Sequence, residues 1–153
     1  LELEVPELTD GTVEMRAIAR EPGSSTKIAV FSNDPNVDPK GACVGSRGNR
    51  VRQIVNELRG EKLDVVEWRE DKVRFIKEAL GPADIDEVEI DEDLKTARVV
   101  VKDNQLSLAI GKEGQNARLA AKLTGYKIDI EGLGDSPREE PVIAEETSDK
   151  EEE

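Results

Sequence analysis

Histidine is absent from this chain of 153 residues, and cysteine occurs once. Without imidazole the usual general base and the commonest metal ligand are both missing, which argues against acid–base catalysis, against a metal centre and against an enzyme in general. The lone thiol, Cys43, excludes an intrachain disulfide and fits a reducing compartment. Its plainer reading is a small buried side chain rather than a nucleophile. Aromatic residues make up 3% of the chain, with two Phe, one Trp and one Tyr. RRM and OB-fold platforms stack bases on exposed aromatics, and Phe31, Trp68, Phe75 and Tyr126 are too few for that and better suited to cores or joints. No apolar run reaches the roughly 20 residues that span a bilayer, and no signal peptide is visible, so no membrane is expected and the reading is soluble and cytoplasmic. Neither a Walker pattern nor Gly-x-Gly-x-x-Gly occurs. No cofactor is expected.

Basic residues are outnumbered, 22 Lys and Arg against 35 Asp and Glu, for a net charge of −13. That total argues against a polyanionic ligand until the charge is mapped. Residues 131–153 hold ten acidic and two basic residues, a net −8, which leaves −5 for the rest. Between Lys40 and Arg59 the balance reverses, with Lys40, Arg47, Arg50, Arg52 and Arg59 against Glu57 alone. A weaker positive run, Lys112, Arg118, Lys122 and Lys127 against Glu113, follows further on.

Both positive runs contain Gly-x-x-Gly. Gly45-Ser46-Arg47-Gly48 and Gly111-Lys112-Glu113-Gly114 lie 66 residues apart, each preceded by an aliphatic residue (Val44, Ile110) and followed by an amide (Asn49, Gln115). One such motif is noise at this glycine content. Two in matching surroundings, with Leu58 to Val65 echoed by Leu123 to Ile130 at an offset of 65, read as an internal repeat. The expected division is a first unit over 1–68, a second over 69–131 and an acidic tail over 132–153 that is Pro-, Ser- and Glu-rich and reads as disordered. Units of about 65 residues are individually marginal.

Thr12 to Arg20 and Thr26 to Ser32 read as a hairpin across Glu21-Pro22-Gly23-Ser24-Ser25. After Asp34 to Pro39 a short helical turn leads to the first loop, and Val51, Ile54, Val55 and Leu58 then mark one face of a helix. Gly60 ends it and Lys62 to Trp68 is a strand. The second unit opens with a helix over Asp71 to Leu80, whose apolar face is expected from Val73, Ile76 and Leu80 with the stem of Lys77. A hairpin (Glu87 to Ile90, Thr96 to Lys102), a helix (Asn104 to Ile110), the second loop, a helix (Gln115 to Leu123) and a strand (Tyr126 to Ile130) complete it. Asp91-Glu92-Asp93 offers carboxylates for a cation, but a solvated turn is the better reading. The fold class is α+β, each unit a three-stranded sheet with helices packed on one face.

Two helices joined by Gly-x-x-Gly present the second helix's unpaired N–H groups and its positive dipole end to an anion. Glycine corners let a sugar-phosphate chain approach the backbone, as in a KH module that clamps about four nucleotides of single strand. At one loop a mere tight turn explains the glycines equally well; at two in register it does not.

The segments Ala17-Ile18-Ala19-Arg20-Glu21-Pro22-Gly23, Thr26-Lys27-Ile28-Ala29-Val30, Asp38-Pro39-Lys40-Gly41-Ala42-Cys43-Val44-Gly45 and Ile110-Gly111-Lys112-Glu113-Gly114-Gln115-Asn116-Ala117-Arg118-Leu119-Ala120 closely resemble motifs of the NusA family of bacterial transcription elongation, termination and antitermination factors. The resemblance runs from about Glu4 to Ile130 and covers that family's tandem KH region. It implies two type II KH domains, each helix-strand-strand-helix-helix-strand, that bind single-stranded RNA as a monomer while the full-length factor rides on RNA polymerase. The implied RNA contacts are Gly45, Ser46, Arg47, Gly48 and Arg50 in the first unit, and Gly111, Lys112, Glu113, Gly114, Gln115, Asn116 and Arg118 in the second; Lys40 and Arg52, from the basic run around the first loop, complete the expected RNA-binding set. Glu113 sets a carboxylate where phosphate should pass. The family's polymerase-binding and OB-fold domains are missing from this sequence and the first unit's leading helix is cut short at Leu1 to Leu8, so the polymerase contact is not expected of this chain alone. A KH pair serving ribosome assembly, or an acidic scaffold with vestigial loops, are the alternative readings.

Overall fold

The β-branched runs form strands and the Pro- and Gly-marked breaks end them in a computed structural model that describes residues 7, 10–45, 48–133 and 142–144. The chain divides into two compact units, Leu1–Arg69 and Glu70–Glu153.

In the first unit β1 (Val13–Glu21) runs antiparallel to β2 (Ser25–Ser32), and β2 runs parallel to β3 (Lys62–Glu67), giving the order β1-β2-β3. A parallel pair needs a crossover, and α1 (Pro39–Val44) with α2 (Asn49–Glu57) supplies it. The central strand is buried from Ser25 to Val30. Its alternation sends Ile28 and Val30 toward the helices, where they meet Val13, Cys43 and Val65, with Val37, Ala42, Val44, Val51 and Leu63 packed around them. Lys27 falls on the opposite face, buried, with its ammonium paired to the carboxylate of Asp64 beside it on β3. Phe31 and Trp68 are half-buried and meet edge to face at 5.7 Å, and the Arg16 guanidinium lies 4.1 Å from one ring centre and 4.4 Å from the other.

The second unit opens with α3 (Lys72–Ala79), whose first turn is capped by the Asp71 carboxylate accepting the Val73 N–H at 3.0 Å. Its buried face is Phe75, Ile76, Ala79 and Leu80, while Lys77 is exposed. The stripe therefore sits one step away from the expected one, because Phe75 and Ala79 fill the core side and leave the lysine in water. β4 (Glu87–Asp91) pairs antiparallel with β5 (Thr96–Val101), over a turn in which the Asp91 carboxylate accepts the Leu94 N–H at 3.1 Å. Then come α4 (Asp103–Ile110), a 3-10 turn (Lys112–Gly114), α5 (Gln115–Thr124) and β6 (Lys127–Gly132), parallel to β5. Ala117, Ala120 and Ala121 are buried on α5 with Leu119 and Leu123.

Within the stretch read as a disordered tail, Val142–Ala144 form β7, which pairs antiparallel with β6 and extends the sheet to the order β4-β5-β6-β7. Backbone pairing on an open strand edge needs no apolar periodicity, so composition gave no sign of it. The rest of the tail, and most of Leu1 to Leu8, lie outside the described residues.

Candidate nucleic-acid interface

The glycines that bound the two loops share one geometry. Gly45 and Gly111 sit at φ 82°, ψ 173° and φ 82°, ψ 168°, a region open essentially to glycine alone, and Gly48 and Gly114 are left-handed at φ 76° and φ 78°. The same bonds close both: Gly45 N–H donates to Gly41 O at 2.9 Å and Gly111 N–H to Ser107 O at 2.8 Å, while Gly48 N–H donates to Gly45 O at 3.1 Å and Gly114 N–H to Gly111 O at 3.0 Å. A Cβ on Gly45 would stand 2.7 Å from Arg50 Cγ, and one on Gly111 2.6 Å from the Asn116 backbone nitrogen. Only a bare backbone fits there.

Each loop feeds a helix whose start is left open. Neither α2 nor α5 has a side-chain N-cap bond or an acidic residue in its first turn. The Gln115 N–H is taken by Lys112 O, and the positive dipole end of each helix faces the loop, where it favours an anion. Cations flank it. A Cβ on Gly48 would meet Arg52 Nη1 at 3.5 Å, and one on Gly114 would meet Arg118 Nη1 at the same 3.5 Å, so the repeat places an arginine beside the second glycine of each loop. Arg118 also donates to the Glu113 carbonyl at 2.9 Å, stitching the loop to its helix. Lys40 is exposed on α1, and Lys112 and Glu113 are exposed at the second loop's tip, with Glu113 left-handed at φ 56°. Gln115 is half-buried at the start of α5. Ser46 and Arg47 lie outside the described residues.

Arg50 and Asn116, both expected at RNA, also bond within their own units. Arg50 Nη1 donates to Ala42 O at 2.6 Å and pairs with Glu7 at 3.1 Å. Asn116, its counterpart 66 residues on, donates through Nδ2 to Leu80 O and Ala109 O at 3.0 Å each, with Leu108 O at 3.5 Å. Each thus fastens the helix after the loop to the end of the helix before it, and reaches a third point of its own unit. Composition marks these residues as polar and near the loop; the carbonyl acceptors that fix their role leave no trace in sequence.

Behind the first loop Cys43 is fully buried, and burial pushes its thiol up to about 11, with the Glu7 carboxylate adding to the rise. It stays protonated at neutral pH. Leu108 on α4 is 45% exposed and offers an apolar surface next to the second loop. Among the described residues no cluster of three or more Cys, Asp or Glu could hold a metal ion, and no helix is long and apolar enough to cross a membrane.

The family of NusA-like first KH domains matches residues 1–68, and that of NusA-like second KH domains matches 72–137. Among curated relatives, the transcription termination/antitermination protein NusA of Halalkalibacterium halodurans is 60% identical over 84% of this chain and 34% of its own length. That of Bacillus subtilis is 53% identical over 99% of the chain and 44% of its own length, and that of Thermus thermophilus 53% identical over 86% and 34%. The chain thus spans between a third and a half of these relatives. The crystal structure of APE1850 superposes with a TM-score of 0.59 at 25% identity, covering 84% of this chain and 96% of that one. Two matched domains in the family's order, carrying two loops of one geometry, make the chain a member of the NusA family, spanning its tandem KH region.

Proposed function

We propose that the chain binds single-stranded RNA, one short segment at each loop, and that within a longer protein it does so as part of a transcription factor working on RNA polymerase to modulate pausing, termination and antitermination. The observation that carries this reading is the pair of glycine loops with matching dihedral angles, each ahead of an uncapped helix and beside an arginine. An RNA-binding factor, not an enzyme, is the consistent assignment, acting in the cytoplasm as a monomer. The names of the relatives, termination/antitermination proteins, support the transcriptional role. In this reading Lys40, Ser46, Arg47 and Arg52 with Gly45 and Gly48 hold phosphate at the first loop. Lys112, Gln115 and Arg118 with Gly111 and Gly114 do so at the second, Glu113 weakens that clamp, and Arg50 and Asn116 set the loops' geometry. Proposed domain limits are 1–68 and 69–131.

Replacing Ser46 and Arg47 together by Asp puts two carboxylates into the first loop in place of a hydroxyl and a cation. RNA affinity should fall by more than about 1 kcal/mol, roughly one charge-assisted hydrogen bond, and fall most at low salt. A folded double variant with unchanged affinity for unstructured RNA would sink the assignment.

A further inference from the structure

The outer edges of β3 and β6 are equivalent in the two units: each strand follows the helix after the glycine loop, runs parallel to the central strand and lies next to that helix. Among the described residues nothing pairs with the outer edge of β3. The edge of β6 is taken. Ile128, Asp129 and Ile130 pair with Ala144, Ile143 and Val142, and this short strand runs beside α5 as well as β6. On the RNA reading, those two elements wall the groove in which bases lie once their phosphates are held at the loop.

We propose that the β6 edge is a strand-docking site whose resident ligand is the chain's own segment Val142–Ala144, and that this segment occupies the base-recognition groove of the second unit. The proposal rests on the RNA reading and assigns to the tail a role that its charge alone does not. A docked strand satisfies edge N–H and C=O groups that bases would otherwise meet, and fills the space beside α5. The linker is long enough, since nine residues, 133–141, join the end of β6 to the start of β7 and let the chain turn back antiparallel. Glu139, Glu140, Glu145 and Glu146 flank the strand in sequence, so the docking segment carries negative charge that disfavours RNA. The second unit therefore binds RNA only in the fraction of molecules with β7 undocked. Its apparent affinity is lowered by that fraction, while the first unit carries no such penalty.

The test uses the full chain with Ser46→Asp and Arg47→Asp, so that binding reports the second groove, and as probe a pool of random-sequence RNAs of about eight nucleotides, long enough for one clamp. Val142→Pro with Ile143→Pro removes two successive N–H groups, one of which must face β6, and proline cannot extend the ladder. The pair should tighten binding about threefold to tenfold, the factor set by the docked fraction. Amides of β6 that do not face β5 should lose hydrogen-exchange protection in the proline variant, and in the parent should lose protection against β7 as RNA is added. A third chain, with Glu139, Glu140, Glu145 and Glu146 changed to Gln, keeps the strand and should gain less. Full gain from the Gln chain with none from the prolines would mean a tail acting by charge alone, and overturns the proposal. So does unchanged β6 protection, or unchanged affinity in a proline variant whose parent binds RNA. Failure of every chain, including one with its first loop intact, to bind RNA overturns the RNA reading itself and this proposal with it.

Discussion

The two units keep the same backbone and solve its local problems with different side chains. Cys43 and Ala109, 66 residues apart, are both fully buried behind the first glycine of their loops. Arg50 and Asn116 do the same fastening with unlike groups, one charged and paired to Glu7, one neutral. The contrast is sharpest at Glu61 and Tyr126. Glu61 is buried and receives two bonds from Arg20 at 2.8 Å, the Gly23 N–H at 3.1 Å and the Thr26 hydroxyl. Tyr126, equally buried at the equivalent place before β6, packs as an aromatic with the Lys95 ammonium 5.3 Å above its ring. What the repeat holds constant is therefore the conformation of the glycines that bound each loop, and not the chemistry of what supports them.

That comparison breaks first at the glycines. Ala at Gly45 must adopt a conformation costing about 1–3 kcal/mol, and its Cβ meets the Asn49 carboxamide, which can swing away, and Arg50 Cβ at 2.9 Å, which its helix holds in place. At Gly111 the obstruction is the backbone nitrogen of Asn116, 2.6 Å away and fixed in a helix. With its obstruction closer and in the main chain, Gly111→Ala should destabilise its unit by about 3 kcal/mol or more and Gly45→Ala by somewhat less. Unit-by-unit hydrogen exchange is the right measure, since a two-unit chain need not unfold in one step. Equal losses at the two positions would refute the difference.

Next come the fasteners. Asn116→Ala strips the Leu80 and Ala109 carbonyls of a donor in a part-buried setting and should cost the second unit about 1–3 kcal/mol. Arg50→Ala loses a pair whose side chains are about 30% exposed, and water replaces much of it, so about 1 kcal/mol or less is expected. Asn116→Asp should be worse than Ala, because it turns an acceptor toward acceptors. If Asn116→Ala instead weakens RNA binding at full stability, the amide serves the ligand after all.

Much of this was legible beforehand, for reasons that can be named. The β-branched runs at Thr26 to Ser32 and Thr96 to Lys102 declare central strands, and two Gly-x-x-Gly motifs in register declare the loops, because nothing but glycine serves at φ near 82° with ψ near 170°. On α3 the short helix allowed two stripes one step apart, and burial of Phe75 and Ala79 chose between them. The roles of Arg50 and Asn116 were hidden because their acceptors are backbone carbonyls, which every residue has. β7 was hidden for a related reason: three residues in an acidic, Pro-containing stretch become a strand through the neighbour's backbone rather than through their own pattern.

The smallest expected effect separates the units by pH. Glu61 is held down to about 2, from an ordinary 4.5, first by the Arg20 guanidinium and then by the Thr26 hydroxyl. A carboxylate depressed in the fold contributes stability that is complete above the unfolded value and is lost as pH falls through the folded one, so the first unit should weaken between about pH 4.5 and 2. The second unit carries the opposite case. Asp129 stands where Asp64 stands in the first, but Arg98 beside it pairs with Glu131 and, at 3.3 Å, with Glu89. Its Oδ1 is buried with no hydrogen-bond partner among the described residues, and burial, then the Glu131 charge, push its carboxyl above the usual 3.8. A raised carboxyl favours the fold in its protonated form, so that contribution is present below about 3.8 and disappears as pH rises through the folded value. Acidification from neutral should loosen the Glu61 end of the first unit while relieving the strain at Asp129. Residue-resolved exchange across pH 6 to about 2 reads both, and Glu61→Gln and Asp129→Asn should each flatten the profile of their own unit alone. Parallel loss in both units, unaltered by either substitution, would leave general acid expansion as the cause and remove these two carboxylates from the account.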